Sequence, residues 1–113
     1  MVASSCYPET GPTIDRILDT LSDSHRREIL YYFETVADGP TATVEEVVGR
    51  LEERVPDRDR RELTTAIHHH HLPKLESRGW LEFDERSGTV RYEGHQSAPA
   101  LLEELAAAFA TER

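Results

Sequence analysis

The sequence predicts a mainly helical protein that carries one small β-hairpin. Over most of the chain, apolar residues recur every three or four positions, which is the spacing of amphipathic helices. Only residues 80–93 read as strands, with Ser87-Gly88 between them as a usable hairpin turn. The length of 113 residues fits a single domain with one modest core.

The N-terminal third predicts a tail and two helices. Residues 1–12 contain Ser, Pro and Gly without a hydrophobic period, which predicts a disordered tail before a single domain over residues 13–110. Ser22-Asp23 is an N-cap pair that separates a first helix, 13–21, from a second helix, which Asp38-Gly39-Pro40 ends. The predicted apolar positions are Ile14, Ile17, Leu18 and Leu21 in the first helix, and Ile29, Leu30, Phe33 and either Val36 or Ala37 in the second.

The middle of the chain predicts a capped third helix and a long fourth one. Thr43 and Glu46 match a capping box at the start of helix 43–54, and residues 41–43 are compatible with a short strand before it. The turn Val55-Pro56-Asp57 then leads into helix 58–78, with Asp57 as its predicted cap and Gly79 as its C-terminal stop. The apolar stripe of the third helix consists of Val44, Val47, Val48 and Leu51.

The remaining residues predict the hairpin and a last helix. Strands are expected over about 80–84 and 89–93, followed by a helix over about 99–110. Three helices followed directly by a two-stranded hairpin is the element order of a winged helix-turn-helix, here flanked by N- and C-terminal helices. The sequence therefore predicts this fold class.

Two stretches carry a resemblance to a known group of regulators. LSDSHRREIL (21–30) resembles the first core-helix signature of ArsR-type (arsenic-repressor-type) prokaryotic regulators, and HLPKLESRGWLEFD (71–84) resembles the end of their recognition helix and the entry into the wing. A His-rich stretch ending in HLPKL is similar to small winged-helix domains of haloarchaea. The resemblance covers about residues 13–95.

The resemblance implies a DNA-binding transcription regulator. Helix 43–54 would brace helix 58–78, which would enter the major groove of double-stranded DNA. One departure concerns the recognition helix, where Thr64, Thr65, His68 and His69 stand in place of the usual run of Ser, Gln and Arg. The expected DNA contacts are Arg58, Arg61, Thr65, His68 and His69 on the helix, with Arg86 and Arg91 on the wing.

The charge of the chain argues against non-specific binding to nucleic acid. It has 22 acidic and 13 basic residues, a net charge of −9, and only one lysine, Lys74. This composition suggests a halophilic cytoplasm; the alternative is an ordinary acidic protein. Between Arg54 and Arg78, however, six bases face four acids, for a local charge of +2. Either this segment forms a basic reading edge, or its arginines pair with neighbouring carboxylates on a solvated surface.

Four consecutive histidines, 68–71, admit three interpretations. Their internal position disfavours a purification tag. On a helix only His68 and His71 could share a metal ion, with a third ligand from His25, His95, Cys6 or a distant carboxylate, so no metal site is expected. We expect instead that His70 or His71 packs against the core while His68 and His69 face a partner.

The two outer helices predict a homodimer, although both could simply cover the core of their own domain. The alternative functions are a winged-helix module that binds another protein and, less favoured, a metal-responsive regulator. No phosphate-binding glycine loop or activated nucleophile indicates an enzyme or a cofactor. Cys6 is the only cysteine, and neither a signal peptide nor a membrane-spanning segment is evident, so we expect a cytoplasmic protein.

Overall fold

The structure, a computed structural model, describes residues 14–55 and 59–109. The predicted tail, Cys6 and Arg58 lie outside these residues. The helices are α1 (14–21), α2 (Ser24–Tyr31), α3 (Val44–Arg54), α4 (Arg60–Ala66), α5 (Leu72–Ser77) and α6 (Ala98–Phe109). The strands are β1 (Thr41–Thr43), β2 (Leu81–Asp84) and β3 (Thr89–Tyr92). A mainly helical chain with a small β-sheet is therefore confirmed.

Side-chain caps set the helix starts. Asp23 accepts backbone hydrogen bonds from His25 at 2.7 Å and Arg26 at 3.3 Å, which satisfies amide groups that the first turn of α2 leaves unpaired. The predicted capping box of α3 is present, because Thr43 and Glu46 each accept from the backbone of the other.

The start of the long fourth helix differs from the prediction. Asp59, not Asp57, is its N-cap: the Asp59 carboxylate accepts from the backbone of Glu62 at 2.8 Å, and α4 begins at Arg60 rather than at residue 58. Asp57 lies outside the described residues. Both aspartates are chemically suitable caps, and the sequence alone could not distinguish positions two residues apart.

Helices α4 and α5 form one continuous rod that includes a π-helical segment, Ile67–His71. The wider turn is closed by the backbone N–H of Leu72, which donates to the carbonyl of Ile67 five residues back. Pro73 has no N–H and its ring conflicts with the carbonyl four residues earlier, so the expanded turn accommodates it without breaking the rod. We refer to residues 60–77 as the long rod.

Gly79 ends the long rod as predicted. Its φ of +83° is a conformation that favours glycine. The backbone N–H of Trp80 donates to the carbonyl of Leu75 at 3.0 Å, as expected of a glycine-terminated helix. The chain then turns directly into β2.

The three strands form an antiparallel sheet in the order β1-β3-β2. Val90 lies at its centre, opposite Ala42 on β1 and Phe83 on β2. The short strand at residues 41–43 is thus confirmed, and it attaches the hairpin to the start of α3. Both predicted hairpin strands are present within one residue of their expected ends.

The buried side chains form one hydrophobic cluster to which all of the helices and strands contribute, except that α1 contributes only its last turn. Leu21 is buried, but Ile14 is 46% exposed and Leu18 is 56% exposed, so the predicted stripe of the first helix is only partly a core stripe. A π-helical segment, Tyr32–Val36, continues α2; after it Ala37 packs against the core, while Val36 is exposed. No helix among the described residues is long and apolar enough to cross a membrane.

Candidate nucleic-acid interface

The outward face of the long rod is formed by residues four apart. Arg61, Thr65 and His69 are all exposed, while Leu63 and Ile67 on the opposite side are fully buried. This arrangement follows from the helical period, which places residues i and i+4 on one face. Three of the predicted contact residues therefore share one accessible stripe.

His68 lies beside that stripe and faces the hairpin. Its ring is half-buried and contacts the Phe83 ring edge-on, with the two centroids 5.4 Å apart. It is at the edge of a shallow groove between the long rod, the start of α3 and the hairpin turn. The groove is lined by Thr43, Val44, Glu45, Val48, Arg60, Thr64, His68, Ser87 and Gly88.

The two wing arginines are exposed but have acidic surroundings. Arg91 lies directly opposite Glu82 in the strand register. Cross-strand partners of opposite charge attract one another, and this reduces the positive potential that Arg91 offers to a phosphate. The depression that contains Arg86 and Arg91 is also lined by four carboxylates, Glu76, Glu82, Asp84 and Glu85.

Most of the basic residues counted between Arg54 and Arg78 form ion pairs with acids. Arg54 lies 3.1 Å from Glu28, and Arg60 lies 2.6 Å from Glu52. Lys74 and Arg78 both contact the carboxylate of Asp19, at 3.1 and 2.9 Å. The local charge of +2 therefore does not correspond to a continuous basic surface along the long rod. Within the described part of the chain, Arg61 makes no ion pair, and it is the most available cation on the outward face.

The opposite side of the π-helical segment meets a buried polar cluster. His71 is 4% exposed, and its Nε2 atom lies 3.9 Å from the Asp23 carboxylate oxygen Oδ1. The same oxygen lies 3.4 Å from Nδ1 of His25, which is also buried. The His25 and His71 rings stack with centroids 5.2 Å apart. We call Asp23, His25 and His71 the histidine–aspartate cluster.

Arg26 connects this cluster to the end of α1. Its guanidinium donates to the backbone carbonyls of Thr20 and Asp19, each at 2.9 Å, and its NH1 lies 3.5 Å from Nδ1 of His71. Carbonyls at the C-terminus of a helix carry partial negative charge, which compensates the buried cation. Arg26 thus ties α1, α2 and the long rod together.

Burial keeps His71 neutral. Removal of the ring from water lowers the pKa of His71 to about 4, an effect that the nearby Asp23 carboxylate only partly offsets. A neutral imidazole can accept a hydrogen bond from Arg26 through Nδ1. His71 is therefore suited to a fixed position in the core at neutral pH.

The expectation that His70 or His71 packs against the core is confirmed by His71, which is buried. His69 is exposed as expected, whereas His68 is half-buried against Phe83 and faces outward only in part. In the structure His71 lies next to His25, and His68 is not part of this group. Sequence reasoning missed Arg26 as a buried residue. A signal was present, because Arg26 stands three and four positions before Ile29 and Leu30 and thus on the buried face of α2.

The family comparison covers this same region. Residues 18–91 match the model of a protein family that is described as a domain of unknown function (DUF7344). The match runs from the end of α1 to β3, and it includes the long rod and the hairpin. No curated protein and no solved structure shows significant similarity to the chain. Because the family match extends over well more than half of the 113 residues, the protein belongs to the DUF7344 family.

Proposed function

We propose that this protein is a DNA-binding transcription regulator of the winged helix-turn-helix class. In this proposal α3 is the bracing helix, the long rod enters the major groove, and the β2–β3 hairpin is the wing. The observation that carries the proposal is the exposed stripe of Arg61, Thr65 and His69 on a rod whose opposite side is anchored in the core.

The stripe has suitable dimensions and chemistry for reading DNA. From Arg61 to His69 the rod rises about 12 Å, which corresponds to three or four base pairs. An arginine can bond guanine or a phosphate in a bidentate manner, and threonine and histidine can both exchange hydrogen bonds with base edges. Arg58, although outside the described residues, would extend the contact toward the start of the rod.

The sparse positive charge favours a mode of binding that depends little on salt. Release of counterions contributes less to affinity as the salt concentration rises, so broad basic surfaces lose their advantage in concentrated salt. An acidic protein with few available cations, such as Arg61, would depend on hydrogen bonds and shape instead. Such a binding mode would suit a salt-rich cytoplasm. We propose that the protein acts there, because it resembles haloarchaeal winged-helix proteins.

A homodimer is part of the proposal, because one recognition helix reads few base pairs. Ile14 and Leu18 lie one helical turn apart on α1, and both are exposed apolar side chains. On α6, Leu102 is buried and Leu101 and Leu105 pack against the core, so much of its apolar face is already covered. We therefore favour α1 as the dimer contact, and light scattering that gives a monomer at all concentrations would contradict it.

The test is fluorescence anisotropy with genomic DNA fragments over a series of KCl concentrations. The triple variant Arg61→Ala, His68→Ala, His69→Ala should bind at least tenfold more weakly than the unchanged protein, because it loses several base or phosphate contacts. If Arg61 contacts a phosphate, Arg61→Ala alone should also reduce the salt dependence by about one unit in the log–log slope.

Arg16→Ala supplies the matched control. Arg16 is an exposed arginine on α1, about 200° around the helix from Ile14. Its backbone carbonyl accepts from Arg78, which is just beyond the C-terminal end of the long rod and not on the proposed DNA-contacting stripe. This variant should bind DNA like the unchanged protein. Equal binding by the triple variant and the control would refute the proposed contacts.

The acidic surroundings of the wing favour a second candidate, a module that binds another protein. Four carboxylates around Arg86 and Arg91 repel phosphate but attract a basic peptide. Absence of DNA binding at every salt concentration, together with stoichiometric binding of one purified basic partner, would favour this function over the first.

A further inference from the structure

The histidine–aspartate cluster has the composition of a metal site. Its three side chains offer two imidazole nitrogens and a carboxylate oxygen that all lie within 4.8 Å of one another. We propose that Asp23, His25 and His71 bind one divalent transition-metal ion of the Zn²⁺ class. The inference goes beyond the proposed function and does not depend on DNA binding.

The distances are close to those that a tetrahedral ion requires. With bonds of 2.0 to 2.1 Å, neighbouring ligand atoms around Zn²⁺ are about 3.3 to 3.5 Å apart. The Asp23 oxygen already lies 3.4 Å from His25 Nδ1 and 3.9 Å from His71 Nε2. The two imidazole nitrogens lie within 4.8 Å of each other, so the stacked rings would have to turn toward each other to bring all three atoms into range.

His25 has one nitrogen without a partner among the described residues, but this atom, Nε2, is on the opposite side of the ring from Nδ1, which faces Asp23. Its Nε2 atom is buried and makes no hydrogen bond within the described part of the chain. Buried polar atoms of this kind are uncommon, because leaving one unpaired costs about 1–3 kcal/mol. No hydrogen bond from Nε2 to a described residue would have to break if the ring turned to bring Nδ1 toward an ion.

The arginine beside the cluster does not block the site. Arg26 approaches Nδ1 of His71, whereas Nε2 of His71 faces Asp23. Metal ligation through Nε2 would place the ring proton on Nδ1, so the 3.5 Å contact with Arg26 would loosen. Arg26 would retain its two shorter bonds to the carbonyls of α1.

The ligand set also limits which ions fit. Imidazole suits Zn²⁺, Co²⁺, Ni²⁺ and Cu²⁺, whereas Mg²⁺ and Ca²⁺ require mostly oxygen ligands. Three protein ligands leave a fourth position for water. The side chain of Asp23 is 33% exposed, which gives an ion access from solvent. A bound ion would join the start of α2 to the centre of the long rod.

The experiment uses the full chain without a tag, titrated with Co²⁺ and followed by its visible absorption. One equivalent per chain should bind with a tetrahedral spectrum, Zn²⁺ should displace it, and Zn²⁺ should raise the melting temperature by several degrees. Asp23→Asn retains a good N-cap but removes the charged ligand, so it should weaken Co²⁺ binding at least tenfold. His71→Gln and His25→Gln should do the same.

An exposed histidine of the same run provides the control. The variant His69→Gln keeps the cluster and should bind Co²⁺ with unchanged stoichiometry and spectrum. Loss of binding in this variant, or no stoichiometric binding by the unchanged protein at micromolar Co²⁺, would overturn the proposal. If His71→Gln fails to fold by circular dichroism, Asp23→Asn and His25→Gln decide the question.

Discussion

His69 and His71 are two residues apart in one continuous rod, yet they occupy opposite environments. His69 is exposed on the face that we propose reads DNA, while His71 is 4% exposed and lies in the histidine–aspartate cluster. The same side chain is thus available for binding at one position and held neutral in the core at the other. Its surroundings, not its chemical type, decide its role.

The helical period separates the two environments, and the π-helical segment determines which residue follows His71 on the buried face. His71 is four residues after Ile67 and therefore on the same buried face, whereas His69 is two residues after Ile67 and about 200° around the helix. In a regular α-helix this face would next include residue 74, but the wider turn brings Leu75 to it instead, and Leu75 is fully buried.

The largest expected difference between the two histidines is in stability. His71→Ala removes a buried ring together with its contacts to Asp23 and Arg26, so it should reduce the free energy of unfolding by about 2–4 kcal/mol. His69→Ala removes an exposed side chain and should change this free energy by less than about 0.5 kcal/mol. Denaturation with urea at constant salt measures both values, and similar effects would contradict the assigned environments.

The next largest expected difference is in the response to acid. The pKa of His71 is near its ordinary value of 6.5 in the unfolded state and about 4 in the folded state. Between these values the unfolded state binds more protons, so the contribution of His71 to stability is complete above about pH 6.5 and is lost as the pH falls toward 4. The resulting decrease in the free energy of unfolding should not exceed about 3 kcal/mol.

Carboxylates also titrate in this range, so the effect of His71 is a difference between variants. Urea denaturation from pH 7 to pH 4, with a metal chelator present, should show a shallower pH dependence for His71→Ala than for the unchanged protein. His69→Ala should retain the steeper dependence. Equal slopes for both variants would show that His71 does not resist protonation in the folded state.

Local signals predicted most of the backbone. The capping box at Thr43, the glycine stop at Gly79 and the turn at Ser87-Gly88 act within a few residues, so the element order followed from the sequence. The sequence prediction placed the N-cap of the long rod at Asp57 instead of Asp59, because the two aspartates are chemically equivalent caps. The exposure of Ile14 and Leu18 was also missed, since a helical period identifies an apolar face but not what covers it.

The candidate sites were predictable only in part. The outward position of Arg61, Thr65 and His69 follows from the period of one helix. The ion pairs of Arg54, Arg60, Lys74 and Arg78, and the meeting of His25 with His71, depend on contacts between segments far apart in sequence. A count of charges along the chain could not reveal that Asp19 neutralises part of the long rod.

The central claim is that the outward face of the long rod contacts DNA, and site-specific photo-crosslinking tests it most directly. Cys6, the only cysteine, would be replaced by serine, and a single cysteine at position 69 (His69→Cys) would carry a photoreactive probe. A second protein with the probe at position 16 (Arg16→Cys) serves as the control. The account predicts strong crosslinking to DNA from position 69 and little from position 16; equal yields from both, or none from position 69 while DNA remains bound, would contradict it.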